Sequence, residues 1–297
     1  MILITGSSGF IGKRLHKTLI NKLGANNVLA LTSKPIENGN FLLHNNYNFS
    51  SDFFIENGYD NIDVIIHAGA YTPKQGSEAN NIERSNSNIN NTYKLIYSNL
   101  PNLKKIIFLS TLDVYGEDNI ITEQTHESPV SLYGFSKLYC EKMLEAWGKQ
   151  YDKKVQILRV GHVYGPGEEE YQKIIPTTIS KIINDLPLQM WGSGEDLRAF
   201  IYIDDIVKSI INSIYLEQEV GAINLVSNQK ISILDLMSKI ITLMGSDKKI
   251  EHINLNNKVR NLVFDNAKMK QYLLENEVQL DTGLLQEIKY MEELLKK

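Results

Sequence analysis

The sequence predicts an α/β fold: a doubly wound parallel sheet with a smaller, interleaved C-terminal part. Three observations carry this expectation. The chain opens on a short apolar run, Met1–Ile4, then glycines at 6, 9 and 12, then a helical pattern over Phe10–Leu23. Strand-like apolar runs alternate with helix-like periodicity through the first half, the pattern of strand–helix–strand crossovers and of a sheet covered on both faces. After Gly161 the rhythm loosens, and Gly165-Pro166-Gly167 marks a turn.

The first turn has a chemical reading. Gly6 permits the tight strand-to-helix turn, Gly9 lets a pyrophosphate approach the backbone, and Gly12 lets the helix pack closely on the sheet. The helix N-terminus offers N–H groups and a positive dipole end to phosphates. Ser8, Phe10 and Ile11 complete this cofactor-binding turn. Further strands are predicted at Val28–Thr32, Val64–Ala68, Lys105–Ser110 and Val155–Val160, with helices near Glu78–Ser98 and Ser131–Gln150. The Asn-rich stretch Asn80–Asn91 keeps helical spacing through Ile82, Ile89, Tyr93 and Ile96. Short helices and an irregular tail are expected beyond Gly161, with 204–216 and 222–226 returning to the main sheet. The predicted division is a dinucleotide-binding Rossmann domain over 1–165 and about 200–226, and a substrate domain over about 166–199 and 227–297.

Bulk properties narrow the function classes. Net charge is −4, which gives no basis for a nucleic-acid or membrane-surface partner. The single cysteine, Cys140, excludes an intramolecular disulfide framework and fits a reducing cytoplasm. An opening strand leaves no room for a signal peptide, and no apolar run approaches the ~20 residues of a membrane span. No metal site is expected.

Three signals then occur in order. Ser110-Thr111-Leu112-Asp113 closes one strand, Tyr133-Gly-Phe-Ser-Lys137 sits on a predicted helix, and Arg159-Val-Gly-His162 closes the next strand. Tyr133 and Lys137 are four apart and share a helix face. A phenol titrates near ~10, too high for a base at neutral pH, and a nearby ammonium and an oxidised nicotinamide would both favour its phenolate. Such a tyrosine can exchange a proton with a sugar hydroxyl or carbonyl while hydride moves at a nicotinamide. Thr111 shares that oxygen, and Asp113 is either a base or a hydrogen-bonded loop residue.

With these residues, the chain resembles the extended short-chain dehydrogenases/reductases, and more narrowly the nucleotide-sugar epimerase/dehydratase/reductase family. TGSSGFIG matches the family's TGxxGFIG, His67-Ala68-Gly69-Ala70 its HxAA-type loop beside the cofactor, and Asn88-Ile-Asn-Asn-Thr92 its N-V-x-G-T segment. Thr111, Tyr133 and Lys137 fall on the catalytic Ser/Thr, Tyr and Lys. Asn88, Ser110, Tyr133, Lys137 and His162 are thereby implied as cofactor neighbours. Trp191-Gly-Ser-Gly-Glu-Asp-Leu-Arg198 resembles the segment whose arginine binds the substrate diphosphate, with Ala199 for the usual aspartate. Arg198 inherits that role, and Arg260 is a second candidate. Leu188 and Trp191 stand where relatives hold the nucleobase, or else belong to the core. Tyr71 and His162 are further substrate candidates, although a lone histidine is as readily a packed side chain. The resemblance also implies a homodimer through the helix around Asn88–Ser98 and the Tyr133 helix. An intrachain role for those apolar faces is equally compatible.

Relatives that bind NAD end the second strand in an acid. Here it ends Thr32-Ser33-Lys34, which suits a 2′-phosphate and leans to NADP, with NAD left open. Asn48 replaces the aspartate that faces adenine. The 4,6-dehydratases carry an acid–base pair after the catalytic threonine, whereas here it reads Leu112-Asp113. The first expectation is therefore NAD(P)H-dependent C4 reduction of a nucleotide-linked 4-keto-6-deoxy sugar. A C4 epimerase or 4,6-dehydratase with tightly bound NAD is the alternative, and a non-catalytic dinucleotide-binding protein the third.

Overall fold

The computed structural model describes residues 1–116, 118, 120–253 and 261–295. In chain order the first half runs β1 (Ile2–Thr5), α1 (Phe10–Leu23), β2 (Val28–Thr32), β3 (Asn40–Leu43), α2 (Phe53–Glu56), β4 (Val64–His67), α3 (Ile82–Ile96), β5 (Lys105–Thr111), α4 (Leu132–Tyr151) and β6 (Lys154–Val160). The second half runs β7 (His162–Tyr164), α5 (Ile174–Ile183), β8 (Leu188–Trp191), β9 (Leu197–Tyr202), α6 (Ile203–Ile214), β10 (Ile223–Leu225), β11 (Lys230–Ser232), α7 (Ile233–Leu243), β12 (Ile250–Ile253), α8 (Ala267–Tyr272) and α9 (Leu280–Leu295).

Seven strands form one parallel sheet in the order β10-β6-β5-β4-β1-β2-β3. Its central strands are apolar and fully buried because helices cover both faces. Leu3, Leu29, Ile106 and Leu144 pack on one face, Ile4, Leu15, Leu158 and Ile206 on the other. The second core continues into α7 and α9 through Leu236, Leu284 and Met291, so the C-terminal elements share the sheet's interior. The later segments add a three-stranded sheet, β11-β9-β7, and a β12-β8 pair. β10 returns beside β6, with Leu225 opposite Val160.

Chain order reverses at β1, which lies between β2 and β4 with Thr5 opposite both Leu31 and His67. A ligand crevice opens beyond the C-terminal strand ends at such a point. Local chemistry sets the helices around it. Ser131 caps α4 by accepting from the Gly134 N–H at 3.1 Å, and Asn81 caps α3 by accepting from Arg84 N–H at 2.9 Å. Gly134 has no room for a side chain, since a Cβ there would stand 2.3 Å from the Asp113 carbonyl oxygen. The start of α4 therefore lies directly on the Leu112–Val114 turn.

One expectation needs correction, and one strand was not anticipated. The tail is not irregular: α9 spans 16 residues and buries Leu284, Ile288 and Met291. The edge strand β3 escaped the sequence reading because its Asn40–Leu43 backbone pairs with β2 while its side chains stay half-exposed.

Candidate active site

The glycine turn is built as its spacing implies. Gly6 has φ +72°, and a Cβ there would lie 2.7 Å from the Gly69 backbone. A Cβ on Gly12 would stand 2.1 Å from the Gly6 carbonyl oxygen. Gly9 differs, since a Cβ there would meet only that oxygen, at 3.4 Å. Its flank is the open one. Gly9 caps α1 without a side-chain hydrogen bond, and the first turn carries no acid. The N–H groups that a helix start leaves without intrahelical partners, a free flank at Gly9 and a first turn without a carboxylate fit a pyrophosphate. Ser8 is exposed beside Gly9, while Phe10 and Ile11 are half-buried against the core, with Phe10 6.2 Å from the Tyr171 ring.

The neighbouring loop, Ala68–Tyr71, is fixed by a directed chain of hydrogen bonds. Gly69 N–H donates to Thr5 Oγ1 at 2.8 Å, and that hydroxyl meets His67 Nδ1 at 2.8 Å. His67 Nε2 meets Thr92 Oγ1 at 3.0 Å, and Thr92 donates to the Asn88 carbonyl at 2.8 Å. Burial and the Lys137 charge push the His67 imidazole down to about 3, so it is neutral and can accept at Nδ1 while donating at Nε2. Asn88 holds Tyr71 by both backbone groups and is buried. The side chain thus secures the loop beside the crevice rather than reaching into it.

Thr111, Tyr133 and Asp113 come together at the end of β5. The Thr72 and Thr111 hydroxyls and the Asp113 charge all act on the Tyr133 hydroxyl. The Asp113 N–H donates to Thr111 Oγ1 at 3.2 Å. Burial, then Asp113, raises the Tyr133 phenol above its usual range. Lys137 does not reverse this. Its ammonium donates to the Leu109 carbonyl at 2.6 Å and sits 4.1 Å from the Phe108 ring centre. Burial lowers Lys137 to about 8, opposed by Cys140 and Glu141. Among the groups acting on the phenol, burial and Asp113 favour its protonated form, while the Thr72 and Thr111 hydroxyls oppose them. Ser110, expected at the cofactor, instead donates its hydroxyl to Glu141 in the interior. Cys140 is fully buried in the core.

A second cleft, of about 180 Å³, is lined by His162, Tyr164, Glu168, Lys173, Arg198 and Phe200, among others. Arg198 Nη1 donates to the Leu197 carbonyl at 2.9 Å, with Asp196 3.7 Å from Nη2. Lys173 was not singled out by sequence reasoning. It donates to the Val163 carbonyl at 3.1 Å, lies 3.7 Å from Glu168 and 5.9 Å from the Phe10 ring centre, and so joins this cleft to the glycine turn. The only sequence signal for it was the Gly165-Pro166-Gly167 turn just upstream. Trp191 is exposed. Leu188 is not a ligand contact: β8 alternates faces, and Leu188 packs with Met190 and Met237. Ser33, Lys34 and Asn48 are exposed beyond β2 and β3, and Tyr71 is half-buried with its hydroxyl on the Glu78 carbonyl. Arg260 lies outside the described residues. Among the described residues there is no metal-binding cluster and no helix long and apolar enough to cross a membrane.

Sheet, glycine turn and the Thr–Tyr–Lys arrangement define a dinucleotide-dependent enzyme of the short-chain dehydrogenase/reductase type. The NAD dependent epimerase/dehydratase family matches residues 2–224, and the chain belongs to it. It is 32% identical over 269 residues to a dTDP-D-glucose 4,6-dehydratase of Dictyostelium discoideum, covering 82% of this chain and 62% of that protein. It is 30% identical over 256 residues to a dTDP-4-dehydro-6-deoxyglucose reductase of Escherichia coli, covering 80% of each. The fold superposes on UDP-glucose 4-epimerase of Thermotoga maritima, solved with UDP-glucose, with TM-score 0.86, 23% identity and 99% of each chain covered.

Proposed function

We propose that this enzyme reduces C4 of a nucleotide-linked 4-keto-6-deoxy sugar. The observation that carries the reading is a buried Tyr133 beside Thr111, with apolar Leu112 packed against a core cluster. A protonated phenol can donate to a nascent alkoxide, whereas dehydration needs a second acid–base partner that Leu112 cannot supply. The E. coli reductase, similar over four-fifths of both chains, supports the same reading. A bound nicotinamide dinucleotide would supply the hydride. Gly6, Gly9, Gly12, Ser8, Phe10 and Ile11 would hold its phosphates, Ala68–Ala70 would flank it, and His162, Asn48, Ser33 and Lys34 would complete its surroundings. Thr111 polarises the carbonyl, Tyr133 protonates it, and Lys137 keeps a positive charge behind the phenol. Arg198 and Lys173 bind the substrate diphosphate, with Arg260 a second candidate for it and Trp191 a candidate for the nucleobase. Within this reading, 1–165 with about 200–226 binds the dinucleotide, and about 166–199 with 227–297 the sugar nucleotide.

NADPH is the proposed donor, because exposed Lys34 and Ser33 stand where a carboxylate would favour NADH. The proposed assembly is a homodimer. Ile82, Phe135 and Tyr139 are exposed along α3 and α4 and border an apolar groove of about 500 Å³, a surface a second copy would cover. The proposed location is cytoplasmic.

The second reading is a 4,6-dehydratase or C4 epimerase that recycles tightly held NAD. The Dictyostelium relative favours it, as does Asp113, a carboxylate beside the phenol. One experiment separates the two. The purified enzyme is incubated with dTDP- and GDP-4-keto-6-deoxy sugars and NADPH or NADH, then with UDP-hexoses alone. A reductase consumes nicotinamide stoichiometrically with the keto sugar. Isomerisation of plain hexoses without added cofactor would reject reduction in favour of epimerisation.

A further inference from the structure

Three consecutive residues at the end of β5 each engage a different turn of α4. The Leu109 carbonyl accepts from Lys137 Nζ at 2.6 Å, the Ser110 hydroxyl donates to Glu141, and Thr111 meets the Tyr133 hydroxyl. Tyr133, Lys137 and Glu141 are spaced by four and are all buried on α4. Two of these rungs belong to the proposed proton-transfer group. The third does not, and it is the most heavily bonded.

Glu141 is fully buried, and Arg159 beside it is 2% exposed. Arg159 donates from Nε at 3.1 and 3.2 Å and from Nη2 at 2.7 Å to the two Glu141 oxygens. Its other donors reach Tyr115 Oη at 2.6 Å and Glu127 Oε1 at 2.7 Å. The Tyr115 hydroxyl in turn donates to Asn224 Oδ1 at 2.9 Å. Arg159 lies opposite Ser110 in the β5–β6 register, so the pair braces α4, β5 and β6 at one level, with β10 joined through Asn224. Burying two opposite charges is costly unless their hydrogen bonds are nearly complete, and replacing such a pair by apolar groups is often tolerated for stability. The structure spends this pair one helical turn behind Lys137.

We infer that the buried Glu141–Arg159 pair, through Ser110, is a positioning unit for the reaction: it sets the registry of α4 on β5 that brings Tyr133 to Thr111, and it holds a carboxylate one helical turn from Lys137. The inference rests on the assignment of Tyr133 and Lys137 as the proton-transfer group. The charged and titratable groups acting on Lys137 are Cys140 and Glu141 from α4 and His67 from β4, with Arg159 behind Glu141. His67 is neutral and Cys140 a thiol, which leaves Glu141 as the anion that opposes the cost of burying the ammonium.

The test compares wild type, Glu141→Gln, and the double variant Glu141→Leu/Arg159→Met, which removes the pair without leaving a lone charge. Proteins carrying 13C-labelled lysine are titrated by NMR with no substrate or cofactor, the Lys137 signal being assigned by its loss in Lys137→Met. The Lys137 midpoint is expected to fall by at least ~0.5 pH units in either variant that folds. In the keto-sugar assay, kcat should drop at least ~10-fold with KM nearly unchanged, and its alkaline limb should move down in step. A folded double variant with the wild-type midpoint, kcat and pH profile would overturn the inference and leave the pair a packing feature. If wild type reduces no keto sugar, the functional reading fails, while the lysine titration still decides whether the pair sets the Lys137 charge.

Discussion

Asn88 grips Tyr71 at both ends of its backbone: its carboxamide oxygen accepts from Tyr71 N–H at 2.7 Å, and its Nδ2 donates to the Tyr71 carbonyl at 3.2 Å. This pairing mimics a strand contact and ties α3 to the loop that carries Gly69 and Thr72. The same Nδ2 reaches Ser136 Oγ at 3.3 Å, which links the loop to the helix bearing Tyr133. Asn88→Ala should lower stability by roughly 1–3 kcal/mol, since buried backbone groups lose their partners. Dinucleotide affinity should fall as well, because the loop against Gly6 loses its anchor. Thermal unfolding and a fluorescence titration with NADPH check both. Unchanged affinity would mean that the loop does not shape the crevice.

Gly9 and Gly12 should separate binding from folding. Gly12→Ala forces a Cβ to 2.1 Å from a backbone oxygen, so the turn must move, at a cost on the order of 1–3 kcal/mol. Gly9→Ala meets only an ordinary contact at 3.4 Å and should leave unfolding nearly unchanged. Its methyl instead enters the open flank proposed for the pyrophosphate, so NADPH affinity should drop by about tenfold or more. Equal NADPH binding by wild type and Gly9→Ala would remove that flank from the cofactor site.

Much of this arrangement was legible because its signals are local. The turn at Gly6–Gly12 and the Tyr133–Lys137 spacing each lie within one stretch of chain, and strands β1, β2 and β5 announce themselves as unbroken apolar runs. What escaped depends on partners distant in sequence. Ser110 read as a crevice residue because nothing near it marks Glu141, one helix away, as its acceptor. Leu188 sat in a suggestive motif, but only the β8 pairing shows which face it takes. Helix α9 was hidden by chemistry rather than distance: its inward stripe of Leu284, Ile288 and Met291 is interrupted by a buried carboxylate, Glu287.

Tyr133→Phe should reduce turnover by at least ~100-fold, the usual worth of a positioned acid. The ring still fills its buried site against Tyr71, so folding and NADPH affinity should change little. Stopped-flow hydride transfer and equilibrium NADPH binding, measured on the same preparation, read the two quantities. Retained turnover would displace Tyr133 from the proton step and shift attention to Asp113.

Glu287 gives the fold a pH dependence of its own. The residue is fully buried, and neither carboxylate oxygen has a hydrogen-bond partner. Burial, then Glu168 and Glu169, pushes its carboxyl from 4.5 up to about 8. Burial likewise raises Glu168 to about 7, with Lys173 and the Gly165 N–H opposing. A folded-state value above the unfolded one means that the contribution to stability is complete below about 4.5 and is lost as pH rises through the folded values. Wild type should therefore lose stability between about pH 5 and 8.5, where an unfolded chain releases these protons freely. Glu287→Gln cannot ionise. It should flatten that slope and be more stable than wild type at about pH 8.5, by on the order of 1–3 kcal/mol. Urea unfolding at the two ends of the range measures the difference. Parallel slopes in the two proteins would show that Glu287 is not the group whose ionisation strains α9 against the loop after Tyr164.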